Sequence, residues 1–387
     1  MPSRFAVDSL GGRLAIHLQH ISPGLEGLRP IERFGLRELE EVRLILQGGS
    51  VVDWRRLSFR TYDEVDDYLR LCLFRPDQPN DEARIREILD EAVEYLRTVF
   101  RYRVTSVVAN PARVHDLFLI ASGVGENARW RRIACIVLKV MHTIFHTDSR
   151  EMLFRTPISS EEFAGMVDQR VRQVMERLEG PESPVISFSG SVKSRQSMIT
   201  KLLAKRESVA AQIFDKVRYR IVTRSDRDIL PMLNFLTSNL FPFNFAVPAQ
   251  TQNNLVSLSR VLDSTPELRV HAERMQSHLE DGYAYGTTIN EYSGEGYRIL
   301  NFVADVPVRL DEHLCSLDGN RRLPIRPEIA FAPVEFQIVD QRTAEQNEVG
   351  DNSHERYKQR QATRVLRRLS RGLVVPKRHG EKPRSAE

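Results

Sequence analysis

QIFDKVRYRIV, residues 212–222, is the stretch on which the fold turns. Its β-branched and aromatic content predicts a strand, and alternation puts Asp215, Val217 and Tyr219 on one face and Phe214, Lys216, Arg218 and Arg220 on the other. VISFSG (185–190) before it reads as another strand, SRQSMITKLLAKRES (194–208) between them as a helix, and DRDILPMLNFLTSNLF (226–241) after it as a second helix. Further on, YRILNFVADVPV (297–308) and VEFQIVD (334–340) read as strands, separated from the preceding helix by a polar stretch, 249–295, that reads as an insertion. A charged helix over about 342–371 closes the segment. The alternation predicts an α/β domain over 184–371.

Upstream the period changes from two to 3.6. Residues 36–47, 61–74, 81–100, 112–123, 126–145 and 159–180 each carry apolar positions at helical spacing, the last opened by Ser159-Ser160 with Glu161-Glu162 in its first turn. This predicts an all-α N-terminal domain over 1–180. GPESP (180–184) breaks both periodicities and marks the boundary.

Composition bounds the function. The chain has 387 residues, 41% hydrophobic and 28% charged, which excludes disordered and collagen-like classes and leaves room for two domains. Cys72, Cys135 and Cys315 are too few and too scattered for a disulfide framework or zinc-ligand spacing, so a reducing cytoplasm is the expected location. No apolar run is long enough for export or membrane insertion, and no membrane partner is expected. The net charge of +4 is uneven: residues 360–387 carry nine Lys/Arg against two Glu. A solvated basic tail over 372–387 is the plain explanation, and a polyanion contact the alternative.

Three groups of residues point to chemistry. Lys193, Ser197 and Lys201 are four apart after the Ser189-Gly190-Ser191 turn, a polar stripe at a helix start that suits a polyphosphate; a solvated lysine face is the alternative. Asp215 and Glu335 sit mid-strand among apolar residues, where a carboxylate is costly unless paired or holding a cation; Gln337 shares the face of Glu335. Gly294-Glu295-Gly296-Tyr297 sets an aromatic ring beside backbone free to approach a ligand, a stacking platform for a base or a turn tyrosine packed on the core.

In order and spacing these pieces resemble the synthetase domain of the RelA/SpoT family, over about residues 184–360. The family patterns R-x-K-x-x-x-S-x-x-x-K, D-x-x-[GA]-x-R, G-Y-x-S-x-H, E-x-Q-I-R-T and H-x-x-Y-K correspond to Ser191…Lys193…Ser197…Lys201, Asp215…Arg218…Arg220, Gly296-Tyr297…Asn301, Glu335-Phe336-Gln337-Ile338 and His354…Tyr357-Lys358. The resemblance implies a mixed-sheet α/β (α+β) nucleotidyltransferase-like fold and magnesium-dependent transfer of pyrophosphate from ATP to the 3′-hydroxyl of GDP or GTP, giving a (p)ppGpp alarmone. It implies Mg²⁺ at Asp215 and Glu335, with Glu335 taking the hydroxyl proton. Phosphates fall to Lys193, Ser197, Lys201, His354 and Lys358, donor adenine to Arg220 and the acceptor base to Tyr297.

The chain departs from the family at Ser191 for arginine, Arg218 for Gly/Ala, Ala249 for the lysine of a Pro-Lys pair, Asn301 for histidine and Val339-Asp340 for Arg-Thr. Toxin-like relatives that modify the tRNA 3′ end, and a nucleotide-binding module without turnover, are the alternatives these departures leave. The hydrolase half of bifunctional members needs a His…His-Asp…Asp metal site. His115-Asp116 and the pair His142 and His146 read instead as packing or capping residues.

Overall fold

The computed structural model describes residues 28–48, 58–125, 127–180, 183–192, 196, 199–200, 203, 217–272, 275, 296–311, 327–349 and 354–369. Among these, helices α1 (Leu36–Leu46), α2 (Tyr62–Leu71), α3 (Pro79–Thr98), α4 (Ser106–Ala109), α5 (Val114–Ala121), α6 (Ala128–Arg155) and α7 (Ser160–Met175) fall within or beside the stretches with 3.6-residue spacing. Ser159 caps α7 as its sequence predicts: its hydroxyl accepts from Glu162 N–H (3.1 Å) and the Glu162 carboxylate accepts from Ser159 N–H (2.8 Å).

α6 runs ten residues beyond the predicted end at Phe145. Thr147-Asp148-Ser149 reads as a stop by propensity, but Ser149 is buried and Asp148 pairs with Arg84 of α3, so tertiary contacts carry the helix onward.

The sheet has five strands in the order β1 (Val185–Val192), β2 (Val217–Thr223), β5 (Ile329–Asp340), β4 (Leu300–Arg309) and β3 (Gln252–Asn253). β2 and β5 are parallel and every other pairing is antiparallel, the mixed α+β sheet expected of the C-terminal half. Two expectations need correction. The described part of the 249–295 segment supplies the edge strand β3 and the helix α9 (Leu258–Ser264), with Leu258, Leu262, Leu268 and Met275 buried, so it belongs to the core. The charged closing helix is two helices, α10 (Gln341–Asn347) and α11 (His354–Leu369). Between them stands Gly350-Asp351-Asn352-Ser353, residue types that favour caps and turns over helix interiors.

One face of the sheet is aromatic. Phe188, Tyr219, Phe336 and Phe302 form successive near-parallel pairs across β1, β2, β5 and β4 at ring-centroid distances of 5.3, 5.9 and 5.5 Å. α7 and α8 (Ile229–Asn239) cover this face. The Tyr219 hydroxyl donates to Asp168 of α7 (2.9 Å), which satisfies the one polar atom the ladder buries. Gly190 lies opposite Tyr219 in the register, and a Cβ there would stand 2.7 Å from the tyrosine ring.

The opposite face is divided. At its far end Phe331 of β5 is covered by Phe145 and His146 of α6 and by Phe245. Towards the C-terminal end of β5 it carries polar side chains. Arg309, at the end of β4, ties this sheet to the helices: its guanidinium donates to both carboxylate oxygens of Asp81 at the start of α3 (2.6 and 3.0 Å), to Asp311 (2.8 Å) and to the Leu73 carbonyl (3.0 Å).

Candidate functional site

The polar end of the sheet is set by register. Pairing of β2 with β5 puts Arg218 beside Glu335 and Arg220 beside Gln337. Pairing with β1 puts Ser191 beside Arg218 and Ser189 beside Arg220, and pairing with β4 puts Asn301 beside Gln337. Glu335 and Gln337, two apart on β5, therefore share a face with both arginines. Alternation that buries Tyr219 and Phe336 on the other side turns all of these side chains this way.

Glu335 is buried, at 7% exposure. One carboxylate oxygen accepts from the Gln337 amide (3.0 Å), while Oε2 has no hydrogen-bond partner among the described residues. A buried carboxylate oxygen left open is costly, and a divalent cation or a substrate hydroxyl would satisfy it. Magnesium is ordinarily held by one or two carboxylates together with substrate phosphates, so this oxygen fits the group the motif implies. Among the described residues no group of three His, Cys, Asp or Glu forms a metal site of its own.

Tyr297 stands at the rim, half-buried, held by its backbone. Asn254, just past β3, donates to the Tyr297 carbonyl (2.6 Å) and accepts from Ile299 N–H (2.7 Å). Asn347, at the end of α10, accepts from Arg298 N–H (3.0 Å) and donates to its carbonyl (2.7 Å). Two side-chain amides thus do the work of ladder bonds on either side of the tripeptide that carries the ring. Burial raises the Tyr297 phenol above its ordinary pKa, with Arg220 and Arg218 pulling it down and Glu335 and Glu348 pushing it up. The phenol stays protonated at neutral pH. Arg220 is paired with Glu348 (3.2 Å), the residue after Asn347. The end of α10 therefore pins both Arg220 and the Tyr297 segment.

Of the residues expected from the sequence, the structure brings together Glu335, Gln337, Arg220 and Tyr297. Lys193, Ser197, Lys201 and Asp215 lie outside the described residues; β2 opens at Val217, so its alternation assigns no face to Asp215. His354 and Lys358 are one turn apart on α11, Lys358 exposed. Some departures from the motif have structural jobs. Asp340, where the family has threonine, caps α10 by accepting from Thr343 N–H (3.0 Å). Ala249, where it has lysine, sits at φ +58° with its N–H on the Gly48 carbonyl (3.1 Å).

Asn254, Asn347 and Glu348 carried no signal in the sequence, because each acts on a partner more than forty residues away. The histidines read as packing or capping residues have these neighbours. His115 Nε2 bonds Asp66 (2.6 Å), and Asp116 accepts from Arg113 N–H at the start of α5 (2.9 Å). The His142 and His146 rings lie 4.1 Å apart, tilted by 44°, with His146 beside Asp305 (3.3 Å).

No protein-family model matches the chain, and no curated protein does. Among solved structures it is similar to small alarmone synthetases. Small alarmone synthetase 1 from Bacillus subtilis is 15% identical with a TM-score of 0.28, over 54% of this chain and 90% of that one. The same enzyme bound to its product pppGpp gives 12% and 0.25, over 64% and 96%. A GTP pyrophosphokinase family protein from Streptococcus pneumoniae gives 14% and 0.26, over 56% and 93%. Overlaps this slight leave the chemistry to the side chains of this chain. No helix among the described residues is long and apolar enough to cross a membrane.

Proposed function

We propose that this chain is a RelA/SpoT-type, nucleotidyltransferase-like transferase that moves pyrophosphate from ATP to the 3′-hydroxyl of GDP or GTP. The observation that carries the proposal is the buried, unpartnered Oε2 of Glu335, on a sheet face shared with Arg218, Arg220 and Gln337 and rimmed by Tyr297, with the RelA/SpoT patterns in register. Transfer of this kind needs in-line positioning, charge neutralisation and one base, which this face supplies.

Tyr297 stacks on the acceptor base and sets its ribose towards β5. Glu335 takes the proton of the 3′-hydroxyl as the oxygen attacks the β-phosphorus of ATP. The new O–P bond forms, the bond from that phosphorus to the α,β-bridging oxygen breaks, and AMP leaves with the bonding pair. The Gln337 amide holds the second oxygen of Glu335 so that the free one faces the reaction. Arg220, released from Glu348, takes the donor adenine. Lys193, Ser197, Lys201, His354 and Lys358 take phosphates. Asp215 and Glu335 would hold Mg²⁺, which when bound supplies neutralisation of the phosphate charge.

The test is purified protein with Mg²⁺ and ATP labelled in its terminal phosphate, offered GDP, GTP or bulk tRNA, with Glu335→Gln alongside. Label entering a guanine nucleotide, and absent in the variant, is expected. Label in tRNA would move the acceptor to a nucleic acid, and transfer undiminished by Glu335→Gln would remove Glu335 from the chemistry.

A further inference from the structure

Arg218 and Glu335 are direct neighbours across the β2/β5 ladder, on strands about 4.8 Å apart. A guanidinium and a carboxylate so placed ordinarily pair. Here Oε1 of Glu335 takes the Gln337 amide and Oε2 stays open. Among the described residues, no hydrogen bond or ion pair holds Arg218. Arg220, two residues on and on the same face, is by contrast paired to Glu348. Two opposite charges held adjacent, Glu335 buried and Arg218 half-buried, and not paired with each other each want a partner that neither gives the other. A ligand that satisfies both presents an anionic oxygen to Arg218 and a cation or a hydroxyl proton to Glu335. A metal-chelated polyphosphate has that polarity.

The neighbouring strand leaves room for it. Ser191 and Ser189, opposite Arg218 and Arg220, are short and exposed, and Gly190 between them has no side chain. Ser191 stands where the RelA/SpoT pattern has arginine, and Arg218 where it has Gly or Ala. The two positions are direct cross-strand partners.

Resting on the proposed transferase activity, we infer that Arg218 is a binding residue of this chain that grips the β,γ-phosphates of the donor triphosphate beside Glu335. Its guanidinium offers two parallel N–H donors to phosphate oxygens, a fork that lysine cannot reproduce.

The experiment measures binding of a non-hydrolysable ATP analogue, and separately of AMP, to the full chain with Mg²⁺ by calorimetry. It compares wild type, Arg218→Ala and Arg218→Lys. Loss of a charge-assisted phosphate contact predicts that Arg218→Ala binds the triphosphate analogue about 10- to 100-fold more weakly. AMP, lacking the outer phosphates, is expected to bind all variants alike. Arg218→Lys should recover only part of the loss. Wild-type affinity in Arg218→Ala, or an equal loss for AMP, would overturn the assignment of Arg218 while leaving the transferase proposal standing. Absence of triphosphate binding by the wild-type chain would overturn both.

Discussion

Replacing Arg309 by methionine removes the cation that joins the helical layer to the sheet. Its guanidinium lies between two carboxylates, Asp81 on α3 and Asp311 past β4, whose residues are 1% and 6% exposed. It makes two hydrogen bonds to the first and reaches both oxygens of the second at 2.8 Å. Once the arginine is gone Asp81 keeps the Arg75 N–H (2.7 Å), and Asp311 loses its bonds to the guanidinium. The individual bonds do not add, because all belong to one group. The cost is set by leaving buried charge uncompensated, about 3–5 kcal/mol. Urea unfolding followed by tryptophan fluorescence and far-UV circular dichroism measures it, as a lower midpoint at unchanged slope. Adding Asp81→Asn to the Arg309→Met variant removes one stranded charge and is expected to recover part of the loss, with a coupling of at least about 1 kcal/mol. A loss below 1 kcal/mol, or strictly additive effects, would refute the view that this buried cluster fastens the two layers.

Three further outcomes follow from the geometry. Gly190→Ala drives a methyl into the Tyr219 ring at 2.7 Å, and a cost of about 1–3 kcal/mol from overpacking is expected in thermal or urea unfolding; a neutral effect would mean the aromatic ladder yields freely. Asn347→Ala removes both side-chain bonds to Arg298 and so loosens the Tyr297 segment. It should raise the KM for the acceptor nucleotide several-fold with the donor KM unchanged, and equal changes in both would deny the positioning role. Burial and the neighbouring His146 hold His142 well below its ordinary pKa of 6.5, so the unfolded chain binds a proton that the folded chain refuses. The stability this costs is absent above that pH and grows as pH falls below it, by at most about 1.4 kcal/mol per unit. Urea midpoints between pH 7 and 5 should therefore fall less steeply in His142→Gln than in wild type, and parallel profiles would count against the buried neutral imidazole.

Local rules carried the sequence a long way where local forces decide. The Ser159 capping box, the apolar spacing of α1 to α3 and α5 to α7 and the alternation in β2 and β5 are written in neighbouring residues, and the structure has them. Where the reading failed, distant contacts were in control. α6 passes through Asp148-Ser149 because Arg84 and burial hold it, and the polar 249–275 stretch joins the sheet because β3 pairs with the start of β4. The site divides in the same way. Glu335, Gln337, Arg220 and Tyr297 were visible as motif residues. That Arg218 faces Glu335, or that Asn254 and Asn347 hold the Tyr297 backbone, depends on strand register and long-range pairing that a single sequence does not display.

The most direct test of the central claim is the identity of the products, read by phosphorus NMR on a reaction of the full chain with Mg²⁺, ATP and GTP or GDP. Pyrophosphate transfer predicts AMP and a 3′-diphosphorylated guanine nucleotide in equal amounts, both lost in Glu335→Gln. ADP as the leaving product, or an unchanged ATP spectrum from protein that binds the nucleotide, would contradict it.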